Sequence, residues 1–346
     1  MQKKDKLDIL LGEYNKAPSE YRVANYWSNY ERQLINMIES LDLTQMRSGK
    51  YPILSTFGFI DGAYSFHPRQ SYWKKFIMKF LHHYVIKNRA VLPYKLRQSD
   101  IEEMAYRHCE LMCEATNSVP ISTIEVSEFG NPQDLFEIKG RKYTVPFLSY
   151  YRRYCFAQKH MSLKGDEVIV ELGSGSGYQI EILKKIYPNL TILCFDLPLQ
   201  LYLCEEYLTN ALGKHDIVGI EKCLQWNDLS NVKKGSVHFL GSWQVPLLKD
   251  FPFDIFWNAA SFGEMEPDIV QNYLKYIKGN AKWIYLMQAR HGKETTGKIS
   301  VNTPITFEDY NSFLSGYTIL QASDAWHCHK RLSQSGGYFE GVWAKV

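Results

Sequence analysis

The sequence predicts an α/β fold: a doubly wound, mostly parallel sheet of seven strands, preceded by a mainly helical N-terminal region. Three observations predict it. The β-branched run Val168, Ile169, Val170 enters a turn with three glycines, and Ile180, Leu183 and Ile186 then fall at helical spacing until Pro188. Strand and helix patterns keep alternating after that turn, as βαβ units require. The chain ends on two strand patterns, "YTILQAS" and "GGYFEGVWAKV", with no long helix between them, which makes them an antiparallel pair.

The first part of the chain has no glycine turn and reads as helical. "SYWKKFIMKFLHHYVIKNR" sets Trp73, Phe76, Ile77, Phe80, Leu81 and Tyr84 on one face and lysines largely on the other, a helix packed on a neighbouring core rather than lying on a membrane. Ser99 with Glu102 forms a capping box for "DIEEMAYRHCELMCEA". "SEFGNPQDLFEIKGRKYTVPFLSYYRRY" mixes turn residues with a short hairpin and a helix that leads into the first core strand. The expected division is a helical domain over 1–145, on the acceptor side or used for homo-oligomerisation, and an α/β domain over 146–346.

Composition narrows the function. With 346 residues, 45% hydrophobic and 22% charged, the chain has room for more than one core. A net charge of +3, with dispersed lysines and arginines, gives no basic block for nucleic acid. The N-terminus lacks the apolar core of a secretion signal, and no apolar run approaches the roughly 18 residues of a membrane span, so the expectation is a cytoplasmic protein. The seven cysteines form no CxxC pair and read as small core residues. His327-Cys328-His329 would be split between the two faces of a strand, and no second ligand pair follows, so no zinc site is expected.

"VIVELGSGSGYQIEIL" carries the chemistry. A strand, a glycine turn and a helix start present backbone N–H groups and a positive dipole end at the carboxyl edge of a sheet, where nucleotide-like ligands bind. Gly173, Gly175 and Gly177 are evenly spaced, unlike the G-x-G-x-x-G of dinucleotide sites. Glu171, two residues before the first glycine, would repel a pyrophosphate and welcome a cation. The next strand pattern, "LTILCFD", ends in Asp196, about twenty residues past the turn, where a carboxylate accepts hydrogen bonds from ribose hydroxyls. Asp196 also suits a helix N-cap ahead of Pro198.

Further along, "PLQLYLCEEYLTNALG" reads as a helix ended by Gly213, "SVHFLGSW" and "FDIFWNAA" as the third and fourth strands, "PDIVQNYLKYIKG" as a helix, and "KWIYLMQAR" as the fifth strand. The E-x-G-x-G-x-G turn resembles motif I of the class I S-adenosylmethionine-dependent methyltransferases. From about Ser127 onward the chain more particularly resembles the sugar O-methyltransferase family of bacterial surface-polysaccharide gene clusters. That resemblance rests on "SEFGNP", "VIVELGSGSG", "FDLPLQLYLCEEYL", "FLGSW", "WNAASFGEMEPDIVQNYLKYI" and "YLMQAR". It implies a Rossmann-like methyltransferase domain with S-adenosylmethionine as cofactor and a sugar or glycan acceptor, nucleotide-linked or lipid-linked. The turn and Glu171 would hold the amino acid end of the cofactor.

Ser242 and Trp243, after the third strand, fall where this fold lays the adenine, the indole covering the base. Asn258, at the end of the fourth strand, would orient cofactor or acceptor, with Ser261, Phe262 and Glu264 on the loop beyond. A sugar hydroxyl is a weak acid and benefits from a general base worth about 10² to 10⁴-fold. His291, after the fifth strand, has the suitable unperturbed pKa of about 6.5. Glu264 is the rival base or the group that orients it. Some sugar methyltransferases use magnesium, but no dense aspartate cluster calls for a metal. Another small-molecule acceptor, or a module that only binds the cofactor, are the alternatives.

Overall fold

The computed structural model describes residues 3–22, 33, 35, 37–55, 58–59, 98–292, 301–325 and 337–346. The amphipathic stretch 71–89 and the His327-Cys328-His329 triplet lie outside them. The N-terminal part contributes helix α1 (Lys3–Lys16) and helix α2 (Gln98–Thr116). Helix α2 already includes Ser99, so the chain turns helical a residue before the position expected of a cap. A hairpin of β1 (Phe136–Ile138) and β2 (Arg141–Tyr143) follows. Helix α3 (Val145–Met161) starts at Thr144, whose hydroxyl accepts from Phe147 N at 3.3 Å, with Pro146 in its first turn.

The main sheet begins with β3 (Val168–Leu172), and α4 (Tyr178–Ile186) follows the glycine turn. Then come β4 (Thr191–Asp196), α5 (Pro198–Leu212), a short edge strand β5 (Ile217–Val218), the single turn α6 (Ile220–Cys223) and β6 (Val237–Gly241). Strand β7 (Phe253–Ala259), α7 (Pro267–Ile277) and β8 (Ala281–Ala289) continue the alternation, and α8 (Phe307–Phe313), β9 (Tyr317–Asp324) and β10 (Tyr338–Lys345) close the chain. The sheet order is β5-β6-β4-β3-β7-β8-β10-β9. The first six of these strands are parallel, while β10 runs antiparallel to both β8 and β9. The sheet has eight strands where the sequence suggests seven; the two-residue β5 is too short to leave a periodic signal.

Alternation on the strands divides the apolar residues between two faces. Ile169, Ile192, Phe239, Trp257 and Val342 point into one core with α3, α4 and α5, while Val170, Leu193, Leu240, Phe256 and Phe339 point into another with α7. The first core does not stop near residue 145: Leu7 and Leu10 of α1, Met46, Leu54 and Tyr106 of α2 belong to it as well.

Polar groups fix part of this union. Glu181 of α4, fully buried, accepts from Ser127 N at 2.7 Å and Tyr207 Oη at 2.6 Å. The Arg47 guanidinium, 1% exposed, donates to Ser127 O at 2.6 Å and lies 5.0 Å and 5.3 Å from the Tyr178 and Tyr207 rings. The "SEFGNP" segment therefore serves as a strap between residues 42–59 and the two helices that follow β3 and β4. Among the described residues, no helix is long and apolar enough to cross a membrane.

Candidate active site

Strand β3 ends between two neighbours, β4 and β7, so the chain leaving it must turn at once. Gly173, at φ +80°, makes that turn, and a Cβ there would lie 2.5 Å from the Ser261 side chain. Its N–H donates to Phe195 O at 2.8 Å. Gly175, at φ +54°, donates from its N–H to Asp196 Oδ2 at 2.9 Å, tying the turn to the end of β4. Gly177, at φ +79°, is the N-cap of α4, and a Cβ on it would press on Leu208 and Cys204 of α5.

Asn258 anchors the opposite wall. Its Nδ2 donates to Leu172 O at 2.8 Å and to Ser261 Oγ at 2.7 Å, while its Oδ1 accepts from Phe262 N at 3.2 Å and Gln288 Nε2 at 2.5 Å. With both ends of its amide engaged, Asn258 shapes the loop after β7 from beneath.

Between these walls opens a cavity of about 190 Å³ at the carboxyl ends of β3, β4 and β7. Leu172, Gly173 and Gly175 form its floor, Asp196 and Leu197 one side, and Ala259 to Ser261 with Glu264 the other; Ser242, Tyr273, Tyr150, Tyr21 and Arg22 are among the residues that line the rest. Asp196 is 4% exposed, and burial pushes its carboxyl up to about 7, against the opposing pull of the Gly175 and Leu197 N–H groups; the nearby Glu264 charge pushes the same way as burial. Glu171 lies beside it on the inner face of β3, 5% exposed. Its carboxyl is also pushed well up, by burial first and by Asp196 second, with Arg153 pulling the other way.

The structure thus brings together Gly173, Gly175, Asp196, Ser242 and Glu264 around one cavity. It sets Glu171 and Asn258 behind the wall and Gly177 at the helix start. Asp196 is not an N-cap: Leu197 holds that position, and Asp196 Oδ1 accepts from Leu197 N at 2.8 Å. Trp243 stands away from the lining. Its indole folds back over Gly241, whose Cβ would meet the ring at 2.4 Å, and its ring centroid is 5.5 Å from that of Tyr14. His291 is exposed on the turn after β8 and does not line the cavity. Among the lining residues that sequence reasoning missed, Tyr21, Arg22, Gly58 and Tyr150 come from outside the α/β alternation. They come from the N-terminal region and α3, where nothing in spacing or composition marks an approach to the sheet edge.

No family model matches the chain, and no curated protein does. Among solved structures, it is similar to a SAM-dependent methyltransferase from Aquifex aeolicus, with 17% identity over 55% of this chain and 88% of the other, at a TM-score of 0.35. It is also similar to mitomycin 7-O-methyltransferase, with 10% identity over 57% of each chain and a TM-score of 0.37. A small RNA methyltransferase gives 18% identity over 56% of this chain and 25% of that one, at 0.39. Likenesses this distant leave the reaction to be argued from the site.

Proposed function

We propose that this chain is an S-adenosylmethionine-dependent O-methyltransferase acting on a sugar hydroxyl. The observation that carries the cofactor is the cavity over the glycine turn, with Asp196 on its lining tied to Gly175 N and a second buried acid, Glu171, at the end of β3. Buried acids ionise only when positive charge or hydrogen-bond donors reach them, a part that Arg153 plays for Glu171 and that a ligand in the cavity would extend to Asp196. A molecule with an ammonium, a sulfonium and a ribose diol brings both, whereas the pyrophosphate of a dinucleotide would add two negative charges. The cofactor, when bound, supplies a methyl group carried on a positively charged sulfur.

This chain's residues do the rest. Asp196 accepts from the ribose hydroxyls, Gly173 and Gly175 let the ligand approach the backbone, and Ser242 borders the base end. Glu264 is, besides Asp196, the other carboxylate on the cavity lining, and it takes the proton of the acceptor hydroxyl as that oxygen gains the methyl from the cofactor's sulfur. His291 would have to reach the cavity from outside it, so Glu264 is preferred as the base. The sugar acceptor is supported by the segments that resemble those of surface-polysaccharide methyltransferases, and Tyr150 adds an aromatic ring with a hydroxyl to the cavity lining. A cytoplasmic location and a division of labour between 1–145 and 146–346 belong to the same reading.

Calorimetry with S-adenosylmethionine, S-adenosylhomocysteine and NAD tests the cofactor, the first two binding and the third not. Mass spectrometry for the gain of one methyl group across nucleotide sugars and lipid-linked glycans tests the acceptor. Methylation of an unrelated small molecule instead would overturn the sugar assignment, and cofactor binding without turnover on any acceptor would favour a binding module.

A further inference from the structure

Tyr21 belongs to the N-terminal region but not to its core. Among the described residues before Val145, it is the one buried with the opposite sheet face, in the cluster of Phe262, Val270 and Tyr273. It is 4% exposed and lines the cavity at the end where Ser242 stands. Three contacts hold it there. Its carbonyl accepts from Ser242 Oγ at 3.3 Å, its ring meets that of Tyr273 edge-on at 5.7 Å, and its hydroxyl donates to Tyr276 Oη at 3.4 Å.

The stretch before it is built to deliver it. Lys6 of α1 pairs with Glu205 of α5 at 2.8 Å, and Tyr14 rests on Trp243. Arg22 then folds back, donating from Nε to Ala17 O at 2.9 Å and from Nη2 to Asn15 O at 2.8 Å. The bend after α1 therefore has a fixed shape, and it turns Tyr21 toward the cavity. Trp243 supports this bend from below, so one of the two aromatic groups at the Ser242 end of the cavity, Tyr21 beside Tyr273, comes from outside the α/β domain.

We infer that Tyr21 is a cofactor-binding residue, supplied by the N-terminal region to close the base end of the cavity against the adenine. The inference rests on the functional reading above. A planar base entering beside Leu197 and Ser242 would meet the Tyr21 and Tyr273 side chains, and the bend over 17–22 would be held more firmly once the base is in place. Ligand binding and docking of the first helix are then coupled, each favouring the other.

The test uses the full chain with S-adenosylhomocysteine as probe. Tyr21→Ala should weaken its binding at least about tenfold, while Tyr21→Phe, which keeps the ring, should stay within about threefold of wild type. Hydrogen exchange on the unmutated protein gives a second readout should Tyr21→Ala fold poorly. The Tyr21 and Arg22 amides, bonded to Pro18 O and Ser19 O, should exchange more slowly when the probe is added. Wild-type affinity in a folded Tyr21→Ala protein, or no change in exchange at 21–22 on binding, overturns this inference and leaves the cofactor assignment standing. Failure of the wild-type protein to bind the probe at all overturns both.

Discussion

The two sides of the cavity are made by different means. On the sheet side, the ends of β3 and β4 carry the glycine turn and Asp196 at fixed register, Leu172 opposite Phe195, so main-chain pairing sets where the strand ends lie, and Asp196 and Asn258 tie the turn to them. On the other side, Tyr21 and Gly58 come from described residues that pair with no strand, Tyr21 held at Ser242 and Tyr273 and Gly58 by its N–H on Ser55 O. A site of this kind has one half whose geometry survives most single substitutions and one half that depends on a few. The sheet half should therefore fail only when the turn itself is filled, and the other half should fail in degrees.

Filling the turn gives the largest expected effect. Gly175 sits at φ +54° on the cavity floor, with its N–H on Asp196. Gly175→Val puts a branched side chain where the ligand approaches and strains the backbone, because β-branched residues avoid positive φ. Binding of S-adenosylhomocysteine should be lost while circular dichroism stays native. Wild-type affinity in a folded variant would show that the sheet half does not hold the ligand.

Next in size is the contrast between the two base candidates. Glu264→Gln should lower turnover by at least about 10²-fold with little change in cofactor affinity, whereas His291→Ala should cost less than about threefold. The reverse ranking would sink Glu264 and return the role to His291, on a loop that would then have to move toward the cavity.

The pH response separates the buried acids from the rest. Folded Asp196 keeps its proton up to about pH 7, against about 4 for an unfolded aspartate. Its protonated form therefore stabilises the ligand-free protein at low pH, and that contribution is lost as pH rises toward 7 and beyond. The ligand has the opposite preference, since only the carboxylate accepts from both ribose hydroxyls. Affinity for S-adenosylhomocysteine should rise with pH up to about 7, by at most about tenfold per pH unit for one proton, and then level off. Asp196→Asn should flatten both trends. Glu171, pushed well up, and Glu340, pushed up to about 7 by burial, act on stability in the same direction, so the Asn variant should retain part of the stability slope but lose the affinity slope attributable to Asp196. Affinity that falls as pH rises through this window would contradict a carboxylate on the ribose.

Legibility in the sequence follows the same division. The turn, Asp196, the βαβ alternation and the final antiparallel pair all announce themselves through local pattern, because periodicity and glycine spacing encode backbone geometry directly. Asn258 was legible as a strand-end residue but not as a loop staple, since its four partners come from β3, β8 and the loop itself. The β5 edge strand, two residues long, carries no period at all. Tyr21 was invisible for another reason: its place depends on Lys6, Tyr14 and Arg22 meeting partners some 190 to 230 residues away or folding back locally, and no single-sequence signal encodes such meetings.

The smallest expected effect tests the residue on which sequence and structure part most clearly. Trp243 follows β6 where an indole would cover a base, yet its ring lies over Gly241 and against Tyr14. An aromatic pair of this sort contributes about 0.5–1.5 kcal/mol beyond its buried area. Trp243→Phe keeps an aromatic ring there but shortens its reach, so it should lower the melting temperature slightly and leave the dissociation constant of S-adenosylhomocysteine within about twofold of wild type. Because Trp243 supports the bend that presents Tyr21, whatever loss of affinity it does cause should vanish in a Tyr21→Ala background, the signature of two residues acting through one contact. A large loss that persists in that background would put the indole on the base after all, and the division between a sheet half and an imported half would have to be redrawn around Trp243.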